Sequence, residues 1–224
     1  NLTPNTEPSG ADEDGKGGAQ DDNEDKNGDM TVDFGLVPLS SVGSAVFVDL
    51  NNNGILDAGE PSLDDKKVEF RLLDEDKNVL ATQSVTDGTY FFDNLLPGNY
   101  FVEFDAPDSY PVSSTTTNTN DDQTDNDDNG IQTDSDGDGL TDGAIRSPLF
   151  NLTPNSEPTG EDGKGGAQDD AADKNGDMTI DFGVVPLSSI GSTAFVDYNN
   201  NGILDAGEPS LDDKVVTVRL LDAN

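Results

Sequence analysis

The chain has 224 residues with 47 Asp and Glu against 11 Lys and Arg, so its formal net charge is −36. It contains no Cys, His or Trp, which excludes disulfide frameworks, zinc fingers, thiol nucleophiles and Ser-His dyads. The strong negative charge excludes nucleic-acid binding through a basic patch. No stretch reaches the roughly 18 apolar residues of a membrane helix, so we expect no membrane insertion.

The composition allows two interpretations. Low hydrophobicity combined with high net charge is typical of disordered chains. However, 37 of the 47 acids are Asp, and they are interleaved with Asn and Gly, a pattern that suits loops wrapped around hard cations. The apolar residues are concentrated in short β-like runs. We therefore expect a metal-ordered β protein, with disorder of the metal-free chain as the alternative.

The sequence repeats internally. The run NLTPN at residues 1–5 recurs at 151–155, and DFG at 33–35 recurs at 181–183. Because one repeat is therefore about 148 residues, it has the size of a single domain. The predicted parts are residues 1–38 as the C-terminal part of a preceding repeat, 39–186 as a complete repeat and 187–224 as the N-terminal part of a following repeat.

Short runs rich in Val, Phe, Tyr and Ile, bounded by Gly, Asn, Asp and Pro, predict strands in the complete repeat. The predicted strands are residues 44–49, 68–74, 79–85, 89–92, 99–105, 144–152 and 178–184. No segment has a helical period, so the predicted fold class is all-β. Several short strands with frequent turns favour a β-sandwich. Residues 113–142 have almost no apolar content and are expected to lie outside the core.

The strongest motif is the run DLNNNGILDAGE at residues 49–60, which recurs as DYNNNGILDAGE at 197–208. Its spacing matches the twelve-residue calcium loop of EF-hands at every ligand position, with glycine at position six for the sharp turn. A β-like run precedes the loop and Pro61 follows it, so we expect a calcium loop without helices; the alternative is a turn that binds nothing. The predicted ligands are Asp49, Asn51, Asn53, Ile55 through its carbonyl, Asp57 and Glu60, and then Asp197, Asn199, Asn201, Ile203, Asp205 and Glu208.

Two further acidic segments predict additional metal sites. Residues 134–142 have the spacing of ligand positions one to nine, but an isoleucine stands at position twelve, and residues 125–130 lie just upstream. Carboxylates so close together repel one another unless a cation lies among them; a solvated loop is the alternative. The run 169–177 is less regular, and a polar turn explains it equally well. The predicted ligands are Asp125, Asp127, Asn129, Asp134, Asp136, Asp138, Leu140, Asp142, Asp173, Asn175 and Asp177. We expect two to three Ca²⁺ per complete repeat.

Beyond these patterns, residues 43–183 resemble the SdrD B-type repeat of bacterial surface proteins, a Cna-B-like or prealbumin-like β-sandwich. The resemblance rests on GSAVFVDLNNNGILDAGEPSL at 43–63, on VEFRLLDEDKNVLATQSVTDGTYFFDNLLPGNYFVEF at 68–104 and on the closing TIDFG at 179–183. It implies Ca²⁺ in the first loop and in the long acidic region, rigidity that depends on these ions, and an extracellular location on the bacterial cell surface.

The sequence therefore predicts a structural module rather than an enzyme: calcium-stiffened tandem β-sandwiches of an extracellular filament or adhesin stalk. Its expected partners are neighbouring repeats of the same chain and, in a filament, other copies. A glycosidase couple would need paired carboxylates, but among dozens of acids such pairs arise by chance. The alternatives are a ligand-binding adhesin module and an acidic mineral-binding surface protein. Asn1 and Asn151 begin N-glycosylation sequons, although the proline after each threonine disfavours glycans.

Overall fold

The computed structural model describes residues 3–7, 29, 31–115, 124–134, 143–160, 174–211 and 214–221. The chain divides into two compact units, Asn1–Pro186 and Leu187–Asn224, which we describe separately. The assignment of the chain to parts of three repeats stays a prediction. Among the described residues, no helix is long and apolar enough to cross a membrane.

The described part of the first unit is built from strands alone, so the predicted all-β class is confirmed. The strands are β1 (Ser40–Val48), β2 (Val68–Asp74), β3 (Val79–Val85), β4 (Thr89–Leu95), β5 (Gly98–Phe104), β6 (Val112–Ser113), β7 (Ile131–Gln132), β8 (Ile145–Arg146), β9 (Phe150–Leu152), β10 (Gly176–Asp177) and β11 (Phe182–Val185).

These strands form two sheets. In the first sheet, β4 pairs antiparallel with β1, while β10 and β11 pair parallel with β1 and β6 pairs with β11. The second sheet is antiparallel, in the order β3-β2-β5-β8-β7, and β9 also pairs with β5. The first and last strands of the unit are therefore neighbours, which places the loop after β1 beside β11.

The core lies between the sheets and is rich in aromatic rings. Phe70 of β2 stacks on Tyr90 of β4, with ring centroids 4.6 Å apart, so this contact joins the two sheets. Phe104 of β5 packs edge-on against Phe182 of β11 at 5.2 Å. All four side chains are buried, and burial of apolar surface is the main stabilising contribution in such a sandwich. The predicted sandwich is thereby confirmed.

Local differences from the predicted strands have identifiable causes. The bounds of β2 and β3 are as predicted, but β1 begins four residues earlier than expected, at Ser40. The predicted strand 144–152 is interrupted between Arg146 and Phe150. Here Ser147 Oγ accepts a hydrogen bond from Val102 N (3.0 Å), and Pro148 has no amide to donate. The predicted strand 178–184 begins only at Phe182.

The expectation that residues 113–142 lie outside the core needs correction in part. None of its described residues joins the apolar cluster. However, four polar residues of this region are buried: Ser114, Asp127, Asp128 and Asn129. Ser114, Asp128 and Asn129 have hydrogen-bond partners in neighbouring elements, and such partners are what make buried polar groups tolerable.

The described residues of the second unit form a smaller structure. Phe195 and Ser210 make an isolated antiparallel bridge, flanked by hydrogen bonds from Val196 N to Pro209 O (2.9 Å) and from Leu211 N to Ala194 O (3.1 Å). The first unit has the same arrangement at Phe47 and Ser62. The bridge closes the base of the acidic loop in both units.

Candidate metal centre

The loop at residues 49–60 follows β1 directly and is organised by its first residue. Asp49 is fully buried, and its Oδ2 accepts a hydrogen bond from Gly54 N (2.8 Å) while its Oδ1 accepts one from Asn51 N (3.1 Å). Gly54 and Asn52 adopt positive φ angles of 77° and 57°, a conformation that glycine and asparagine tolerate best. The backbone therefore curls around the Asp49 carboxylate.

Hydrogen bonds join four of the remaining predicted ligands, the side chains of Asn51, Asn53 and Glu60 and the residue Asp57. The side-chain amides of Asn51 and Asn53 both donate to Asp57 Oδ2, at 2.8 and 2.9 Å. Glu60 folds back across the loop, with Leu50 N donating to its Oε1 (2.7 Å) and Asp57 N to its Oε2 (3.0 Å). Three of the six predicted ligands thus meet at one carboxylate oxygen.

The loop at residues 197–208 repeats this geometry in the second unit. Asn199 and Asn201 donate to Asp205 Oδ2 at 2.8 and 2.7 Å, and Gly202 N donates to Asp197 Oδ2 at 2.8 Å. Glu208 accepts hydrogen bonds from Tyr198 N and Asp205 N, both at 2.9 Å, and Ile203 N donates to Asn201 Oδ1 at 2.8 Å. The twelve residues therefore fold in the same way in two units with very different surroundings.

The chemical type of the loop's predicted ligand atoms suits Ca²⁺. All of its predicted ligand atoms are hard oxygens, from carboxylates, amides and one carbonyl, on a backbone already curved around a common centre. The described residues contain no group of three or more carboxylates that could hold a metal by themselves. Binding in this loop would therefore depend on its asparagine and main-chain oxygens, as the sequence pattern predicts.

The second acidic segment lies partly against the core. Asp127 and Asn129 are buried, Asp125 is half-buried, and Asp134 is exposed. Asn129 Oδ1 accepts a hydrogen bond from Asp181 N (2.9 Å), so this predicted ligand supports the fold. The predicted ligands Asp136, Asp138, Leu140 and Asp142 lie outside the described residues.

Two buried carboxylates near this segment were not among the predicted ligands. Asp128 accepts hydrogen bonds from Gly183 N (2.9 Å), Gly130 N (2.8 Å) and Ser114 Oγ (3.0 Å). Asp181 accepts from Ser44 Oγ and from Asn126 N. Burial outweighs these hydrogen bonds and raises the pKa of both carboxyl groups to about 7. For Asp181, the sequence signal is that the residue recurs in the repeat, where Asp33 is its equivalent.

The third predicted site is placed beside the start of β1. Asp177 is fully buried, and its Oδ1 accepts hydrogen bonds from Thr179 N (3.0 Å) and Thr179 Oγ1 (2.7 Å). Asn175 accepts the amide of Ser41 through its carbonyl (3.1 Å) and that of Asn155 through its side chain (3.1 Å). Asp173 lies outside the described residues. Asn175 and Asp177 both help to attach this segment to its neighbours.

Sequence comparisons with characterised proteins show where similar chains occur. Colossin-A of Dictyostelium discoideum is 31% identical over 173 residues, which are 76% of this chain and 1% of that protein. The Fibrinogen-binding protein of Staphylococcus epidermidis is 39% identical over 97 residues, 42% of this chain and 8% of that protein. Serine-aspartate repeat-containing protein F of Staphylococcus epidermidis (strain ATCC 12228 / FDA PCI 1200) is 31% identical over 198 residues, 86% of this chain and 10% of that protein.

The chain thus spans a tenth or less of the length of these relatives. A family model described as the SdrD B-like domain matches residues 40–146. That range holds β1 to β8 and includes the loop at residues 49–60 and the acidic segment at 125–134. Residues 40–146 therefore belong to the SdrD B-like domain family.

Proposed function

We propose that the chain is a non-enzymatic structural spacer, a tandem β-sandwich module of an extracellular adhesin stalk or filament that is stiffened by Ca²⁺. The observation that carries this proposal is the loop geometry found at residues 49–60 and again at 197–208. Because the same hydrogen bonds form among the loop residues in both units, much of the loop geometry is specified by the twelve residues themselves. A calcium site requires several hard oxygen ligands around one point, and the residues of this loop carry such oxygens.

Binding would require a small rearrangement within the loop. Asn51 and Asn53 present their amide nitrogens to Asp57 Oδ2, whereas Ca²⁺ needs the amide oxygens. A half-turn of each amide about its terminal bond exchanges the two atoms and leaves the side chain in place. For Asn53 this half-turn also breaks the hydrogen bond from Ile55 N to Oδ1 (2.9 Å). Bound Ca²⁺ would supply positive charge that offsets the repulsion between the carboxylates of Asp57 and Glu60.

The stabilisation follows from mass action. Calcium sites of extracellular modules have dissociation constants of about 10⁻⁴ to 10⁻³ M. At millimolar Ca²⁺, a site at the tight end of that range adds about 1.4 kcal/mol to the free energy of unfolding. The relatives include serine-aspartate repeat-containing proteins of staphylococci, which supports placing this module on a bacterial cell surface, where Ca²⁺ is abundant.

Calorimetric titration of the whole chain with Ca²⁺ tests the proposal. We expect saturable binding that loses one site in Asp57→Asn and a different one in Asp205→Asn. Each variant is the matched control for the other, because the two residues occupy the same position in equivalent loops. Titrations of the parent chain and of the double variant that coincide would contradict calcium binding in these loops.

One observation favours a second function, recognition of a host protein. One relative is named Fibrinogen-binding protein and is similar over 97 residues of this chain. The similar part is only 8% of that protein. Retention of the whole chain on immobilised fibrinogen, lost when soluble fibrinogen competes, would support this function; absence of retention would leave the spacer as the better account.

A further inference from the structure

The loop at residues 49–60 does not stand alone in the first unit. We call residues 124–130 the bridging segment, because it contacts this loop on one side. Leu56 N donates to Asn126 O (2.9 Å) and Asp128 N donates to Gly54 O (2.8 Å). Between these hydrogen bonds, Ile55 and Asp127 form an antiparallel bridge. Residues at loop positions six to eight are therefore fixed by the bridging segment.

The same bridging segment holds the last strand of the unit. Gly183 N of β11 donates to Asp128 Oδ1 (2.9 Å). Just before β11, Asp181 exchanges two hydrogen bonds with Asn129, at 3.0 Å through its carbonyl and 2.9 Å through its amide. Since Asp128 and Asn129 are buried, these hydrogen bonds are shielded from competition by water. The bridging segment therefore links the loop to β11.

A third contact joins the loop to the chain that follows β6. Asn52 Oδ1 accepts a hydrogen bond from Thr115 N (2.8 Å). Asn52 stands at loop position four, which supplies no ligand in this loop type, and it has a positive φ of 57°. Its side chain can therefore be removed without touching the predicted ligand set.

The second loop provides a natural comparison within the same chain. It has the same predicted ligands, and Asn200 has a φ of 56° at the position equivalent to Asn52. The hydrogen bonds described for residues 197–208 all lie within residues 194–214 of its own unit. The two loops thus differ in their surroundings and not in their ligands.

We propose that the loop at residues 49–60 is energetically coupled to the bridging segment and to Thr115, so that an ion in this loop stabilises the contacts that hold β11. This inference rests on the calcium binding proposed above. A bridging segment that fixes loop positions six to eight reduces the ordering needed for binding, and this raises the affinity of the loop. Linkage is reciprocal, so the ion stabilises the bridging segment by the same factor. Couplings of this kind are typically about 5- to 150-fold, and we expect about tenfold.

The test uses Tb³⁺, whose luminescence is sensitised by a tyrosine close to the ion, as the probe in the full 224-residue chain. Tyr198 stands at position two of the second loop, where the first loop has the exposed Leu50. The parent chain therefore reports on residues 197–208. The double variant Leu50→Tyr/Tyr198→Leu reports on residues 49–60, and Tyr198→Leu alone gives the background from the other tyrosines.

We expect half-saturation of the first loop at a Tb³⁺ concentration about tenfold lower than for the second. Asn52→Gly removes the contact with Thr115 and should raise the half-saturating concentration of the first loop about fivefold, the usual value of one hydrogen bond. The matched variant Asn200→Gly should leave the second loop unchanged. Hydrogen exchange gives an independent readout: Ca²⁺ should slow exchange of the Gly183 amide, and Asp57→Asn should abolish that slowing.

Two results would overturn the inference, and they differ in what else they contradict. Equal half-saturation of the two loops, with no effect of Asn52→Gly and no change in Gly183 exchange, would overturn the coupling alone and leave calcium binding intact. No luminescence above background at either loop, together with flat Ca²⁺ titrations, would contradict the proposed function as well.

Discussion

At the scale of single residues, Asp128 combines full burial with three hydrogen bonds to its carboxylate. Its pKa is raised to about 7 because desolvation of the charged form outweighs those hydrogen bonds. The residue is therefore unfavourable as an anion in the folded chain, although it positions both the bridging segment and β11. A nearby cation would relieve that penalty, which connects this residue to the proposed calcium dependence.

The raised pKa predicts how stability depends on pH in metal-free buffer. Between about pH 4 and pH 7, folded Asp128 keeps a proton that the unfolded chain has released, so the free energy of unfolding falls as pH rises. The contribution amounts to at most about 4 kcal/mol. We expect Asp128→Asn to reduce this dependence in urea unfolding at pH 5 and pH 8, with the remainder due to Asp181, whose pKa is also raised to about 7. The exposed Asp64→Asn, which changes net charge equally, is the control; parallel curves for all three chains would contradict the prediction.

Gly183 marks a place where β11 approaches its neighbours closely. A Cβ atom there would collide with Ser114 Oγ and would lie 3.0 Å from Phe47 Cζ. We expect Gly183→Ala to lower the free energy of unfolding by about 1–3 kcal/mol through overpacking. Gly35 is the equivalent glycine of the repeated DFG sequence. A Cβ atom built on Gly35 would have no other atom within 4 Å. Gly35→Ala should leave the melting temperature unchanged, and equal effects of the two substitutions would contradict this packing.

At the scale of elements, an ionic cluster crosses three strands of the second sheet. Glu103 of β5 accepts hydrogen bonds from Arg71 Nε on β2 (3.1 Å) and from Arg146 Nε on β8 (2.7 Å). Arg71 also makes a bidentate pair with Asp105, at 2.8 and 2.9 Å. The chain has only 11 Lys and Arg residues, and two of them, Arg71 and Arg146, join neighbouring strands.

Neutralising Glu103 should leave two guanidinium groups facing an uncharged side chain. We expect Glu103→Gln to lower the free energy of unfolding by about 1–2 kcal/mol, since the pairs are only partly shielded from solvent. Glu69→Gln, an exposed acid on β2, is the control and should have little effect. Chemical denaturation of both variants measures the difference. A Glu103 variant as stable as the Glu69 variant would show that the cluster contributes nothing.

The strands illustrate which part of the fold sequence patterns can predict. Apolar runs bounded by turn residues located β2 and β3 to the residue. The stretch before β11 was predicted as strand but is not, because Thr179 donates to the Asp177 side chain instead of to a neighbouring strand. The parallel pairing of β1 with β11 could not be predicted, because alternation indicates which face of a strand is buried and not which strand lies beside it.

The same distinction applies to the candidate site. The two twelve-residue loops could be predicted because the hydrogen bonds that join their predicted ligands to the rest of the loop span at most ten positions. The burial of Asp128 and Asp181 could not be predicted, since it depends on contacts such as the hydrogen bond from Asn126 N to Asp181, 55 positions apart. The sequence patterns also do not indicate the burial of Glu157.

At the scale of the whole molecule, equivalent residues of the repeat have different surroundings. Phe182 is fully buried in the core, whereas Phe34, at the equivalent position of the repeated sequence, is 87% exposed in this 224-residue chain. We expect Phe182→Ala to lower the free energy of unfolding by about 3–5 kcal/mol and Phe34→Ala to change it by less than about 0.5 kcal/mol. Thermal melting of the two variants makes the comparison. A large effect of Phe34→Ala would show that residues 31–38 contribute to a core of their own.

Because its net charge is −36, the whole molecule should respond to cations. Repulsion among its carboxylates opposes compaction, and the ions proposed to bind in specific loops would offset that repulsion locally. Monovalent salt screens charges without selecting the loops. A specific site and general screening can therefore be separated by comparing Ca²⁺ with NaCl at equal ionic strength.

The most direct test of calcium ordering is the melting temperature and hydrodynamic radius of the full chain, in 1 mM Ca²⁺ and in EDTA at matched ionic strength. We expect Ca²⁺ to raise the melting temperature of the first unit by about 3–6 °C per site and to reduce the radius. Asp57→Asn should remove part of that shift. Identical melting temperatures and radii in the two buffers would contradict the account and leave the acidic loops as ordinary turns.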